Sequence, residues 1–254
     1  MAGWFEEDDF WANFAPLMFD GKRWAEVPAI IDGLDARLAE AGGPRVKNGL
    51  RVYDSCCGPG RHALELARRG CIVTGVDLTR AYLDAAGESA EAEGLEVEFV
   101  HGDVREFSRP GAFDLALNLF TSFGYFDSRE EDLAFLARVR ESLRPGGFFA
   151  LEVLGKECAV RDFLVTEWFE RENRLACSEY AVEGAWEYLV NRWVVVADGK
   201  IFERRWKQRL YSAVELGDAL RKAGFDGELR FFGNLAGIPY DHEAWSLVAL
   251  ASRR

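Results

Sequence analysis

The sequence predicts an α/β protein built on a doubly wound sheet of mostly parallel strands. Three observations carry that expectation. Between residues 51 and 153, short apolar runs alternate with amphipathic segments of helical period, the pattern of strand–helix–strand units covered on both faces. Connections of this kind cross over right-handed, which places a ligand crevice at the C-terminal ends of the strands. After residue 166 the texture shifts to longer alternating segments, which predicts an antiparallel β insertion before the chain returns to the main sheet.

Residues 7–19 put Phe10, Trp11, Phe14, Leu17 and Met18 at helical spacing, an amphipathic helix with an aromatic stripe. A second helix covers 27–41 and stops at Gly42-Gly43-Pro44. Strand 51–55 leads to a helix over 61–69 ending at Gly70, then to a buried strand over 71–76 and a helix over 80–93. Strands over 96–100 and 113–118 precede a helix over 129–143, which Pro145-Gly146-Gly147 breaks before a strand over 148–153. In the insertion, strands are expected over 168–172, 174–182, 186–196 and 200–211, with Asp198-Gly199 as a hairpin signal. A helix over 213–223, stopped by Gly224, and strands over 228–232 and 246–252 bring the main sheet to seven strands. The expected organisation is an N-terminal helical lid (1–45), a core (46–165 and 212–254) and the insertion (166–211), serving as a substrate lid or a dimer interface.

A hydrophobic fraction of 49% in 254 residues supplies a packed core. The net charge of −12 opposes docking on a phosphate backbone, so no nucleic-acid partner is expected. Arg204, Arg205, Lys207 and Arg209 are the one dense basic stretch, and a strand would split them between two faces. The N-terminus lacks a basic segment followed by an apolar one, and no apolar run reaches the ~18 residues of a membrane span. Five cysteines (Cys56, Cys57, Cys71, Cys158, Cys177) show no paired metal spacing and suit a reducing cytoplasm. No metal site is expected.

The sharpest chemistry lies between Val52 and Arg69. Gly58 and Gly60 let the backbone pass close under a ligand, and amides at the start of the next helix favour an anionic group. Asp77 ends the following strand, where a carboxylate can accept from both hydroxyls of a ribose. Gly58-Pro59-Gly60-Arg61-His62-Ala63 also satisfies G-x-G-x-x-A, so a dinucleotide dehydrogenase is a rival reading. Asp54 argues against a pyrophosphate, which it would repel, and suits an α-amino group. Asp103, in His101-Gly102-Asp103-Val104, is a second acidic signal placed for an adenine amino group.

In these positions the chain resembles the class I S-adenosylmethionine-dependent methyltransferases. Within them it is similar to the small-molecule N- or O-methyltransferases whose loop reads D-x-C-C-G-P-G-R-H, as Asp54 to His62 does here. The stretches 74–79, 118–126, 143–147 and 223–225 extend the resemblance over roughly residues 50–252. It implies a Rossmann-like fold, an enzyme, and S-adenosylmethionine as cofactor with S-adenosylhomocysteine as product. It also implies roles: Gly58 and Gly60 beside the methionine part, Asp77 at the ribose, Leu78 on one adenine face, Asp103 and the Val104 amide at the adenine edge. Asn118 would offer its backbone carbonyl to the cofactor's ammonium. Cys56 stands where the commoner motif has its first glycine. Arg23 could pair with the cofactor carboxylate.

Methyl transfer is an in-line displacement, so a dry, shaped pocket supplies most of what is needed. The acceptor pocket is expected under three lids. The first is the N-terminal helix with Trp11, Phe14 and Met18; the second is the loop 121–126 with Phe123 and Tyr125. The third is the insertion, where Trp186, Tyr188, Val190 and Arg192 alternate onto one face and Phe202, Arg204, Trp206 and Gln208 share another. Tyr240 is a further substrate candidate, and His242 and Tyr125 are the candidate proton acceptors. The expected partner is a small-molecule methyl acceptor, with the protein a cytoplasmic monomer or homodimer and no membrane involved. The alternatives are a protein or nucleic-acid methyltransferase and a non-catalytic binder of S-adenosylmethionine; the absence of an N-P-P-Y-like run after Asn118 weighs against base methylation.

Overall fold

Strand side chains alternate between two faces, and here each face has found its own helices. The computed structural model describes residues 14–254. Its main strands are β1 (Arg51–Ser55), β2 (Ile72–Asp77), β3 (Val97–His101), β4 (Phe113–Asn118) and β5 (Leu143–Val153). The insertion adds β6 (Thr166–Arg171), β7 (Arg174–Glu183), β8 (Tyr188–Ala197) and β9 (Lys200–Arg209), and the chain ends with β10 (Leu229–Phe232) and β11 (Leu247–Ser252). On one face Val52, Leu115, Leu117, Ala150 and Leu250 pack with Ile31, Leu34, Leu38, Ala63 and Leu66. These partners belong to the helices Val27–Glu40 and Arg61–Arg68. On the other face Tyr53, Ala116, Phe149, Leu151 and Ala249 meet Phe135, Val139, Leu216 and Leu220 of the helices Arg129–Ser142 and Ala213–Lys222.

The seven-stranded sheet runs β10-β11-β5-β4-β1-β2-β3, and β11 alone runs against its neighbours. From β1 the chain winds outward to β3, then returns to β4 on the other side of β1. That reversal opens a crevice beyond the carboxyl ends of β1 and β4. The expected doubly wound, Rossmann-like α/β fold is what the chain adopts.

Local departures have physical causes. The expected break at Pro145-Gly146-Gly147 is instead part of β5, where pairing with β4 jumps from Phe113↔Leu143 to Leu115↔Phe148. The bulge is held from the C-terminus: the Gly146 amide donates to the Arg253 carbonyl (2.7 Å) and the Arg253 amide to the Gly147 carbonyl (3.0 Å). Glu172 and Asn173 are both left-handed (φ 50° and 56°), making a two-residue hairpin turn, so the strand expected over 168–172 ends at Arg171 and the next begins at Arg174 as expected. The strand expected from 186 starts at Tyr188, because Ala185 and Trp186 (φ 52° and 69°) form the turn before it.

The four insertion strands form a separate antiparallel meander, β6-β7-β8-β9. Residues 14–18 are helical, and Phe14 and Leu17 pack against Ala176, Val195, Trp193 and Trp206 of that sheet. The two chain ends of the meander meet where the Lys156 amide donates to the Tyr211 carbonyl (2.9 Å). Its last strand is clamped to the loop after β4. The Arg209 amide donates to the Gly124 carbonyl (2.7 Å), and Gln208 Nε2 donates to the Phe123 carbonyl (3.2 Å). Gly124 must be glycine: its φ is 96°, and a Cβ would sit 2.5 Å from the Arg209 carbonyl oxygen.

Beneath this clamp lies a buried ion pair between Arg209 (side chain 1% exposed) and Asp132 (0%). Tyr211 donates to the same carboxylate (2.7 Å), while Arg209 also donates to Tyr188 Oη (2.7 Å) and to the carbonyls of Phe126 and Asp127. Among the described residues no helix is long and apolar enough to cross a membrane, and no cluster of His, Cys, Asp and Glu could hold a metal ion.

Candidate functional site

At the C-terminal ends of β1, β2 and β4 lies a cavity of about 1160 Å³, counted with its open mouth. The loop that floors it leaves β1 through left-handed residues: Cys56 (φ 56°), Gly58 (54°) and Gly60 (77°). The Cys57 amide donates to the Val76 carbonyl and the Gly60 amide to the Cys57 carbonyl, closing the turn. Gly58 lines the cavity, whereas Gly60 lies below it, where a Cβ would come within 2.9 Å of Ala86 Cβ. Cys56, at a position that favours glycine, lines the cavity too, and burial pushes its thiol far up, so it holds its proton.

Asp77 ends β2 and ties the floor together. Its Oδ2 accepts from the Gly58 amide and its Oδ1 from the Thr79 amide, both at 2.8 Å. Burial raises its carboxyl, and the backbone amides of Thr79 and Gly58 oppose that rise. Leu78, Asp103 and Val104 continue the lining, with Asp103 gripped by the Arg105 guanidinium, itself bonded to Glu131 (3.2 Å). Just under the floor, Asp54 is 2% exposed. Burial, then the charge of Asp77, pushes its carboxyl up to about 7. Its Oδ2 has no hydrogen-bond partner, and neither has Oδ1 of the buried Asn118, whose Nδ2 bonds Ser55. Buried acceptors without donors are uncommon and point to a missing partner.

Much of the rest of the lining is apolar and aromatic: Met18, Phe19, Phe120, Tyr125, Phe126 and Trp206. Phe120 and Thr121 are consecutive left-handed residues (φ 62° and 59°), held where Glu152 accepts from the Phe120 amide (3.0 Å) and from Ser246 Oγ (3.0 Å). Tyr125 is pushed up to about 12 by burial and keeps its proton. His62 is depressed to about 3 by burial and by Arg61, so its imidazole is neutral. Arg61 is held between Phe19 and Phe120, its Cζ 5.2 and 4.6 Å from the ring centroids.

Of the residues singled out in the sequence, Cys56, Gly58, Asp77, Leu78, Asp103, Val104, Met18 and Tyr125 meet around this one cavity. Asp54, Gly60 and Asn118 support it from beneath. Phe14 and Phe123 are buried one layer back, Phe14 on Trp193 and Phe123 against Phe135 and Tyr211. Trp11 lies outside the described residues.

The remaining candidates lie elsewhere. Arg23 pairs with Glu26 (3.2 Å) outside the cavity. Trp186 sits in a turn, edge-on to Phe163, and Tyr188 is spent on Arg209. The inward face of β8 carries Leu189, Asn191 and Val195, so Arg192 faces out and pairs with Glu179 and Glu203. Tyr240 donates to Glu157 (2.6 Å), and His242 lines a shallow surface hollow with Arg161 and Trp245 rather than the crevice. The cavity residues that sequence reasoning missed include Phe19, Thr79 and Tyr82, with Arg61, named only as part of the motif, as the one charged group among those left without a role.

Known proteins share these features. Residues 52–147 match a family described as methyltransferase domain. A ubiquinone biosynthesis O-methyltransferase from Dinoroseobacter shibae is 30% identical over 135 residues, 51% of this chain and 53% of that protein. A solved S-adenosylmethionine-dependent methyltransferase from Clostridium acetobutylicum superposes with a TM-score of 0.76 at 16% identity, covering 96% of both chains. Over residues 52–147 the chain is thus similar to a methyltransferase domain. An amino pentose methyltransferase of calicheamicin biosynthesis from Micromonospora echinaspora shares the fold at a TM-score of 0.68 and 24% identity, again over 96% of both chains. In sequence, the matched part of this chain spans about half the length of the curated relatives it matches. The similarity covers the strands that floor the cavity and the loop with Phe120, Tyr125 and Phe126, whereas Met18, Phe19 and Trp206 fall outside the matched residues 52–147.

Proposed function

We propose that this protein transfers a methyl group from S-adenosylmethionine to a nitrogen or oxygen of a small metabolite. The observation that carries this reading is the convergence of Gly58, Asp77, Leu78, Asp103 and Val104, from three separate strand ends, on one cavity with further aromatic lining. The residues fit the cofactor. A carboxylate ends β2 where a ribose would lie, and the partnerless acceptors of Asp54 and Asn118 lie beneath the place where an ammonium would sit. Bound there, the cofactor supplies an electrophilic methyl on a sulfonium. The chain's own work is to hold it by Asp77, Leu78, Asp103 and Val104, and to exclude water with Phe19, Phe120, Phe126 and Trp206.

The small-molecule reading draws support from the insertion. Several of its basic residues are engaged with acids: Arg192 with Glu179 and Glu203, Arg205 with Glu203, Lys207 with Glu183, Arg209 with Asp132. Charge so paired is less open to a phosphate backbone. Relatives named for ubiquinone biosynthesis and for an amino pentose point the same way. A cytoplasmic monomer or homodimer goes with this reading, with residues 14–19 and 166–211 acting as lids; of the expected lid 1–45, the helix Val27–Glu40 belongs to the core instead, because Ile31, Leu34 and Leu38 are buried against the main sheet.

Calorimetry with S-adenosylhomocysteine and with NAD tests the cofactor: heat with the first and none with the second is expected, and the reverse overturns the proposal. Asp77→Ala should weaken S-adenosylhomocysteine binding by about tenfold or more, the worth of one charge-assisted hydrogen bond. Labelled S-adenosylmethionine offered to metabolite pools and, separately, to RNA then distinguishes the acceptor classes.

A further inference from the structure

Arg61 is the cation in this cavity that the roles above leave unused. It is the first residue of the helix Arg61–Arg68, lines the cavity, and is only 4% exposed. Its Nη1 donates to the Arg23 carbonyl (2.8 Å), and the rings of Phe19 and Phe120 hold the guanidinium between them. Among the described residues no carboxylate comes within 4.0 Å of it, although the protein is rich in acids and most of its other buried or half-buried arginines are paired. A guanidinium carries five donors in a planar fork, and burying it with one of them used is costly unless an anion completes the set. The nearest anionic influences, Asp54, Glu26 and Glu152, act at a distance and through no bond.

We propose that Arg61 is the receptor for the α-carboxylate of the cofactor's amino-acid end. The assignment rests on the function proposed above, and it replaces Arg23, whose half-exposed side chain pairs with Glu26 outside the cavity and whose carbonyl accepts from Arg61. The site is zwitterionic in the matching sense: Arg61 offers a buried cation, and Asp54 beneath the same loop offers a buried acceptor without a donor. A free amino acid end, ammonium beside carboxylate, complements both. The flanking aromatic rings fix the plane of the fork without competing for its hydrogens.

Calorimetry with three probes tests this: S-adenosylhomocysteine, its decarboxylated analogue, which keeps the amine, and 5′-methylthioadenosine, which lacks the amino-acid end. Wild-type protein should prefer S-adenosylhomocysteine over the decarboxylated analogue by about 10- to 100-fold, the range for a charge-assisted pair. Arg61→Met, which keeps the stem between the two rings, should abolish that preference and leave 5′-methylthioadenosine binding within about threefold; Arg61→Lys should keep part of the preference. The wild-type preference needs no variant to fold, and its absence alone overturns the proposal. A preference that survives Arg61→Met overturns it too, leaving Arg61 to serve a carboxylate on the acceptor. If wild-type protein binds none of the three probes, the function proposed above has failed and this inference falls with it.

Discussion

Replacing Asp54 by asparagine should make the ligand-free protein more stable, and more so at pH 8 than at pH 5. Asp54 is 2% exposed, and burial together with the charge of Asp77 raises its carboxyl from 3.8 to about 7. Below pH 3.8 the folded and unfolded chains both hold the proton, and the group costs nothing. Between 3.8 and about 7 the unfolded chain ionises first, so stability is lost steadily as pH rises; above 7 both states are ionised and the loss is complete. The gap of about three units amounts to about 4 kcal/mol at roughly 1.4 kcal/mol per unit. At pH 5 only about 1.2 units of it have been spent, or about 1.6 kcal/mol. Asparagine cannot ionise, yet it keeps an oxygen for the Ala63 amide. With 1 kcal/mol worth about 2–4 °C in a chain of this size, the melting temperature should rise by about 8–16 °C at pH 8 and by less than half that at pH 5. Thermal unfolding of both proteins at the two pH values checks it. An equal gain at both, or none at pH 8, would refute the claim that Asp54 is a buried, costly charge. The same variant should bind S-adenosylhomocysteine more weakly, as a site that gives up stability for binding requires.

Three further outcomes follow from the packing. Asp132→Ala strands the Arg209 guanidinium in the interior and should cost about 3–5 kcal/mol in urea denaturation, most of it recovered by adding Arg209→Met; a double variant no better than the single contradicts the pairing. Gly124→Ala should lower the melting temperature by several degrees, about 1–3 kcal/mol, because its φ is left-handed and its Cβ meets the Arg209 carbonyl. Trp206→Ala should leave S-adenosylhomocysteine affinity unchanged in calorimetry and slow methyl transfer to whichever acceptor is found, since Trp206 reaches the cavity from the insertion and not from the strand ends that carry Gly58, Asp77 and Asp103.

The floor was legible in the sequence because its residues are close along the chain and follow strand ends. Asp54, Gly58 and Asp77 fall within 24 positions, each at a boundary that apolar runs and glycines mark. The wall was harder. Alternation along β8 and β9 was read correctly, but period two does not say which face turns inward, and for β8 it is the one opposite to that of Tyr188 and Arg192. Trp186 went wrong for a local reason: its left-handed φ carries no sequence signal in a tryptophan. The Arg209–Asp132 pair was illegible, since the partners lie 77 residues apart and each reads alone as surface charge. Arg61 was visible as part of a motif, and its solitude shows only once the neighbouring acids have been placed.

The bond between the Lys156 amide and the Tyr211 carbonyl closes the meander like the neck of a pouch. The meander leaves and re-enters the core there, so its far turns at 172–173 and 198–199 can be rebuilt without displacing β5 or the helix that begins at Ala213, while Gln208 and Arg209 stay clamped to the loop after β4. Of the aromatic and apolar lining named above, only Trp206 hangs from that neck, so a change in the meander reaches the cavity directly through one side chain, while Met18, Phe19, Phe120, Tyr125 and Phe126 are supplied from outside it.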